Sequence, residues 1–290
     1  MTALEGNFWG LILFEIGQAM IDIHVPSVRT SGLIRLAESM LIKNEFGQSL
    51  ANLGCTLKVI YDPATVNPDD MKEFSFVEMA PQKPFSGTPP LFAIRRQIHS
   101  FKGGQPWLLL DDDDYFVADS VEYLFGCCLF LRTFEERTGR LGFIGTAGVF
   151  GSNHSGDSIH ISPSNAIMPK GHGLLFSSEI EMSGSLFEPF DASIGGLEEA
   201  LFCSIATYYF NAIPFKRFLN PTYIKFRKEK DRETSAIHDY DTWKNNSMKI
   251  IRELSGDPSW TYPSGMGNKG TKSPKTWVKR AQLLKEEYKI

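Results

Sequence analysis

Apolar residues along the chain fall into short runs separated by longer stretches of helical spacing. The segment MIDIHVPSVRT (20–30) predicts a strand from Ile21 to Val25, ended by Pro26 and Ser27, because proline has no N–H to give a sheet ladder. From Gly32 to Leu53 the residues Leu33, Leu36, Met40, Leu41 and Leu50 recur mostly at helical intervals, and Gly54 supplies a stop. TLKVIYD (56–62) predicts a second strand ending on Asp62, and FSFVEM (74–79) a third. A loop rich in Pro and Gly (81–90) leads into a short helix, LFAIRRQIHSF (91–101). PWLLL (106–110) is then an all-apolar run of the kind a central parallel strand shows.

Residues 119–137 predict a mostly buried helix on Val121, Leu124, Phe125, Cys128, Leu129 and Leu131. LGFIGTAGVF (141–150) reads as a strand, 151–170 as a loop with a short strand in it, and GLLFSSEIEMSG (173–184) as a further strand. GGLEEALFCSIATYYF (195–210) has a glycine hinge and then a helix whose first turn is acidic, where the helix dipole favours it. The remainder is basic and less regular, with a loop at 262–274 and a terminal helix from about Lys275. Strand–helix alternation of this kind predicts a right-handed parallel α/β sheet, in which ligands bind beyond the carboxyl ends of the strands. Asp62 and the run Asp111 to Asp114 both fall at such ends.

Composition narrows the class. The 290 residues are 42% hydrophobic and 22% charged, as in a packed globular protein of one large or two ordinary domains. No apolar run is long enough to span a bilayer. Phe8 to Met20 is interrupted by Glu15 and Gln18 and lacks the basic start and cleavage site of a signal peptide, so no membrane and a cytoplasmic setting are expected. Cys55, Cys127, Cys128 and Cys203 contain no CxxC, which argues against a disulfide framework and a structural zinc site. The net charge of −4 divides unevenly, with −12 over residues 1–213 and +8 over 214–290. A basic C-terminal quarter suits a polyanionic partner, or a tail folded over a bound phosphate, or basic helices packed on an acidic body.

Four aspartates directly behind three leucines repel one another, and a divalent cation offsets that repulsion. Two or three carboxylates on a short turn hold Mg²⁺ or Mn²⁺, which in turn neutralises a diphosphate. An acidic loop at a strand end is the plain alternative.

Four stretches, in order, resemble the nucleotide-sugar-dependent glycosyltransferases of the GT-A fold. They are IDIHVPSVRT, LKVIYD, AIRRQIHSFKGGQPWLLLDDDDYF and FEPFDASIGGLEEALFCSIATYYFNAIPF, spanning about residues 20–215. The resemblance implies an α/β, GT-A-like (Rossmann-like) fold, a mainly parallel sheet flanked by helices, with a basic C-terminal extension. Residues 1–215 would form the nucleotide-sugar-binding and catalytic unit, and 216–290 would complete it. Asp111 and Asp113 match the family's DxD motif, Asp113 as the direct metal ligand, while Asp112 with Asp114 is a competing registration. Asp62 would face the uracil or ribose, and Pro26, Ser27 and Arg29 would line the nucleotide pocket. Arg95 or Arg96 would reach the diphosphate, where a guanidinium binds two oxygens at once. Glu198 and Glu199 match the acidic pair from which inverting members take a general base, with Glu199 at the base position where Asp is common. Their alternative role is to stabilise the helix N-terminus. His238 matches a third metal ligand or is a surface histidine, and His172 is its lesser rival.

The activity so implied is metal-dependent transfer of a sugar from a UDP-sugar to an acceptor hydroxyl, with Mn²⁺ or Mg²⁺ holding the donor diphosphate. Aromatic residues among the C-terminal charges (YIKFRKEKDR, KSPKTWVKR) suit a nucleic-acid acceptor. The chain is similar in type to the enzymes that glycosylate hydroxymethylated bases, such as 5-hydroxymethylcytosine, in phage DNA. Their target hydroxyl is reached in the major groove or on a flipped base. Protein, lipid-linked and small glycan acceptors stay open. So do two other classes, a metal-dependent nucleotidyltransferase or nuclease and a non-catalytic nucleotide-binding module. SVRTSG carries too few glycines for the loop of sugar-nucleotide-forming enzymes, and NFWGLILFEIGQAM has no counterpart in the glycosyltransferases.

Overall fold

Alternation along β1 (Asp22–Ser27) sends Ile23 and Val25 to one face of a sheet and Asp22 and His24 to the other, and all six residues are buried. The computed structural model describes residues 21–83, 104–112, 114–116, 118, 120–152, 159–161, 174–180, 198–227 and 240–259. The other strands are β2 (Thr56–Tyr61), β3 (Val77–Pro81), β4 (Trp107–Leu109), β5 (Asp114–Phe116), β6 (Gly142–Ser152), β7 (Ile159–Ile161), β8 (Leu174–Phe176) and β9 (Ile213–Arg227). Among the described residues they form one sheet in the order β3-β2-β1-β4-β8-β6-β9-β5, with β7 paired to β6. β1, β2, β3, β4, β6 and β9 point one way and β5, β7 and β8 the other, so the sheet is mainly parallel.

Helices cover both faces. On one, Leu33, Leu36, Ala37 and Met40 of α1 (Thr30–Ser39) and its cap, with Leu124, Phe125, Cys128 and Leu131 of α2 (Ser120–Thr138), pack on Ile23, Val25, Leu57 and Val59. On the other, Phe202, Ile205 and Ala206 of α3 (Glu198–Tyr208) and Ile251 of α4 (Tyr240–Ser255) pack with Trp107, Leu109, Phe143 and Phe176. Burial on both sides is why the central strands read as continuous apolar runs. The exceptions on the second face are paired: Lys58 Nζ lies 2.8 Å from Asp22 Oδ2, and His24 tilts against Trp107 with ring centroids 5.4 Å apart. No described helix is long and apolar enough to cross a membrane.

Several elements differ from the sequence expectation, each for a physical reason. The helix expected over 32–53 stops at Ser39. Asn44 then organises a loop, its Oδ1 accepting the N–H groups of Phe46 (3.0 Å) and Gln48 (2.8 Å) while its amide donates to Glu122 of α2. That loop folds back so that the Ala51 N–H reaches Met40 O at 3.1 Å, and Leu50 is buried as a plug rather than as part of a helical stripe. Phe74 closes a turn, accepting the Val77 N–H at 3.0 Å, so β3 begins at Val77 instead of Phe74. The chain also re-enters the sheet at Asp114, where only a turn was expected. The C-terminal part expected to be irregular contains β9 and α4. In β9 the apolar Ile213 and Phe215 reach the core just ahead of Lys216 and Arg217 in the sequence, and in α4 Met248, Ile251 and Leu254 form a helical stripe. The helix expected over 91–101, the loop at 262–274, the terminal helix and the apolar N-terminal stretch lie outside the described residues.

All four cysteines are free and buried. Burial pushes the Cys55 thiol up to about 12 and the Cys128 thiol well above its ordinary value, with Cys127 adding to the latter. Such thiols are protonated and unreactive. A thiol–disulfide exchange reagent is expected to titrate no fast thiol in the folded protein and all four after denaturation; a fast native thiol would place one of them at the surface.

Burial also holds the half-buried Glu135 carboxyl of α2 above the usual glutamate range; a hydrogen bond from Ser177 opposes this and Glu179 adds to it. The folded state therefore binds this proton more tightly than the unfolded chain. The resulting stabilisation is complete below the ordinary glutamate pKa and is lost as pH rises through the folded value. Glu135→Gln is expected to melt higher than wild type at about pH 7 and to lose that advantage towards about pH 4 in paired thermal scans.

Candidate functional site

The carboxyl edge of the parallel strands is where the ladder of β1 runs out. The Asp22 N–H donates to Pro106 O (3.0 Å) and His24 O accepts the Leu110 N–H (3.1 Å), so even-numbered residues of β1 direct their backbone groups towards β4. Pro26 is next in that series and lies beyond the last β4 pair, so its missing N–H breaks no bond with that strand and β1 runs through it to Ser27. On the other side the Asp62 N–H donates to Ser27 O at 3.0 Å, holding the exits of β1 and β2 together.

Beyond β4 the chain makes a tight turn through the aspartates. The Asp114 N–H donates to Asp111 O (3.2 Å), and the Asp111 N–H donates to Asp114 Oδ2 (3.0 Å), so the last carboxylate of the run closes the turn on the first residue. Asp114 is fully buried and Asp111 half-exposed.

Asp112 faces the exit of β1. Its Oδ2 accepts the Ser27 hydroxyl at 2.9 Å and, at a longer 3.4 Å, the Val28 N–H and Arg29 Nε; its Oδ1 accepts Arg29 Nη2. Ser27 Oγ in turn accepts the Arg29 N–H at 3.2 Å. α1 has no side-chain cap of its own and no acidic residue in its first turn. Asp112 therefore supplies, from more than eighty residues away, the negative charge that a helix N-terminus favours. The approach is close enough to require glycine. A Cβ at Gly32 would stand 2.3 Å from Asp112 O.

Asp62 is buried at the exit of β2, and its Oδ1 accepts the Ala64 N–H (3.0 Å) and Gln82 Nε2 (3.1 Å). Ser27, Arg29, Asp62, Asp111 and Asp112, named from the sequence, thus share one edge of the sheet with Pro26. Glu198 and Glu199 are the first residues of α3. Asp113, Arg95, Arg96, His172 and His238 lie outside the described residues. Among the described residues no three His, Cys, Asp or Glu side chains cluster to hold a metal.

Three residues of this edge were not singled out from the sequence: Gly32, Gln82 and Lys225. A glycine inside the first turn of a helix marks a close backbone approach, and that was the available signal for Gly32. Lys225 enters by register, directly opposite Asp114 in the antiparallel β5–β9 pair.

The architecture has solved counterparts. TarS residues 1–349 of S. aureus, in complex with UDP-GlcNAc, match with a TM-score of 0.51 at 13% identity, over 83% of this chain and 68% of that one. The same protein in complex with UDP gives a TM-score of 0.49 at 11% identity, over 93% of this chain and 72% of that one. The fold is GT-A-like. No protein-family model and no curated protein matches the chain in sequence.

Gly32→Ala is expected to destabilise the protein by about 1–3 kcal/mol, the usual cost of overpacking against a position that cannot move freely. Chemical denaturation checks this. An unchanged midpoint would mean that the start of α1 does not pack on the aspartate turn.

Proposed function

We propose that this protein is a glycosyltransferase that moves a sugar, a hexose or pentose, from a UDP-sugar to an acceptor hydroxyl. The observation that carries the reading is the junction of the aspartate turn with the β1 exit, beside Asp62, at the carboxyl edge of a GT-A-like sheet. That junction sets groups suited to a nucleoside next to groups suited to a metal-bound diphosphate. The similarity in fold to TarS, solved with UDP-GlcNAc, supports a nucleotide-sugar donor.

In this reading Asp62 meets the uracil or ribose, and Pro26, Ser27 and Arg29 line the nucleotide pocket. Asp111 and Asp113 hold Mn²⁺ or Mg²⁺, with His238 as a further ligand; such hard cations favour the carboxylate oxygens this turn offers. A bound divalent ion supplies charge neutralisation at the diphosphate. Arg95 or Arg96 stabilises the departing nucleoside diphosphate with paired N–H donors. Glu199, with Glu198 beside it at the start of α3, accepts the proton of the acceptor hydroxyl as its oxygen attacks the anomeric carbon.

The register of β9 supports a role for the C-terminal part. This strand crosses from the unit 1–215 into 216–290, and it lays Lys225 opposite Asp114. The basic segment completes the site as a tail over the phosphates. With 17 Lys and Arg against 9 Asp and Glu over 214–290, it also favours a DNA acceptor, a hydroxymethylated base of the kind glycosylated in phage DNA, modified in the cytoplasm.

Calorimetry of UDP with Mn²⁺ and with excess EDTA, on wild type and Asp113→Ala, tests the donor half. Binding is expected to weaken roughly tenfold or more when either the metal or Asp113 is removed; no binding under any condition would overturn the UDP-sugar reading. Transfer of labelled sugar to hydroxymethylated duplex DNA tests the acceptor. Donor turnover without transfer to DNA, but with transfer to a glycan or protein, would reassign it.

A further inference from the structure

We infer that Asp112 is a positioning residue that couples the nucleotide pocket to the cation turn, and that it is not itself a cation ligand. The inference rests on the UDP-sugar reading and deepens it. The Asp112 carboxylate receives four donors, from the Ser27 hydroxyl, the Val28 amide and two nitrogens of Arg29. An ionised carboxylate has about four lone-pair directions, so a cation would have to displace these partners. The group is also 3% exposed, sealed beneath the backbone contact at Gly32.

Asp114 holds the turn with one of its oxygens. It is fully buried, with Oδ2 closing the turn on the Asp111 amide. Of the two ways to lay a DxD over four aspartates, the register Asp112 and Asp114 would dismantle both the turn and its anchor. The register Asp111 and Asp113 uses the positions on either side of the anchor. Residues that contact the nucleoside (Ser27, Arg29) and residues that contact the cation (Asp111, Asp113) are therefore joined through one buried carboxylate. Binding on one side fixes the element the other side uses, and such coupling is reciprocal.

UDP would confound a test of this link, because its phosphates touch the cation directly. Uridine does not have that contact. Mn²⁺ affinity, read from the electron paramagnetic signal of the free ion, is measured with and without saturating uridine on wild type, Asp112→Asn, Ser27→Ala and Asp113→Ala. In wild type, uridine is expected to tighten Mn²⁺ roughly fivefold or more, and Mn²⁺ to tighten uridine by the same factor. Asp112→Asn is expected to bind Mn²⁺ within about threefold of wild type while the coupling falls to near one, whereas Asp113→Ala loses the ion itself. Loss of Mn²⁺ binding in a folded Asp112→Asn protein would make Asp112 a ligand and overturn the inference. Coupling that survives intact in that variant would overturn it too. If Asp112→Asn does not fold, Ser27→Ala decides: it keeps Mn²⁺ binding and is expected to lose part of the coupling, and full coupling there refutes the link. Failure of wild type to bind UDP with Mn²⁺ would count against the donor reading itself, a separate outcome.

Discussion

A carboxylate buried at the exit of the first strand is the interaction on which this edge of the molecule depends. Taking the Asp112 charge out of water is costly. The structure offsets it with a guanidinium, a hydroxyl, an amide and the positive end of α1, all drawn from residues 27–32. The Arg29 side chain keeps about a third of its surface exposed, so the pair sits at the boundary between core and solvent rather than deep in the sheet. Removing the carboxylate would take a counter-charge away from the guanidinium and the helix N-terminus. Adding a side chain at Gly32 would push the two turns apart from the backbone side. Both changes act on one joint.

That joint has its position because of what the strands on either side do. β4 is three residues long, and β1 outlasts it, so the edge beyond Leu109 is open for a turn rather than a ladder. Pro26 keeps β1 from extending that ladder. The turn then feeds β5, which pairs not with its neighbours in sequence but with β9, more than a hundred residues later. A site begun by the first strand of the sheet is thus closed by its last. The C-terminal part of the chain cannot be separated from this edge without opening the sheet, since β9 also runs alongside β6.

Much of the fold was legible because parallel strands covered on both faces are short and apolar, and their ends are marked by polar residues. LKVIYD and PWLLLDDDD announce both a strand and its carboxyl end, so Asp62 and the aspartates could be placed at the edge. What could not be read was contact across sequence distance. Ser27, Arg29 and Asp112 were each named, yet nothing local shows that the second aspartate of the run is held by residues more than eighty positions earlier. Spacing also misled where burial was achieved by a loop: Leu50 lies at a helical interval from the residues before it, but reaches the core through a turn held by Asn44. In β9 the Lys and Arg residues drew attention away from Ile213 and Phe215, which pack in the core.

The puzzle of four adjacent like charges resolves through the geometry of a chain leaving a strand. The run is a tight turn, closed by the Asp114 N–H on Asp111 O, so neighbours in it need not share an environment. Asp112 and Asp114 are both buried, one against Arg29 and the other folded on the turn with Lys225 opposite in register. Asp111 keeps partial exposure. Partitioning the run in this way puts the Asp112 charge against a cationic partner supplied by the protein itself. Within the run the even-numbered pair is thus committed to the fold, Asp112 to the start of α1 and Asp114 to closing the turn.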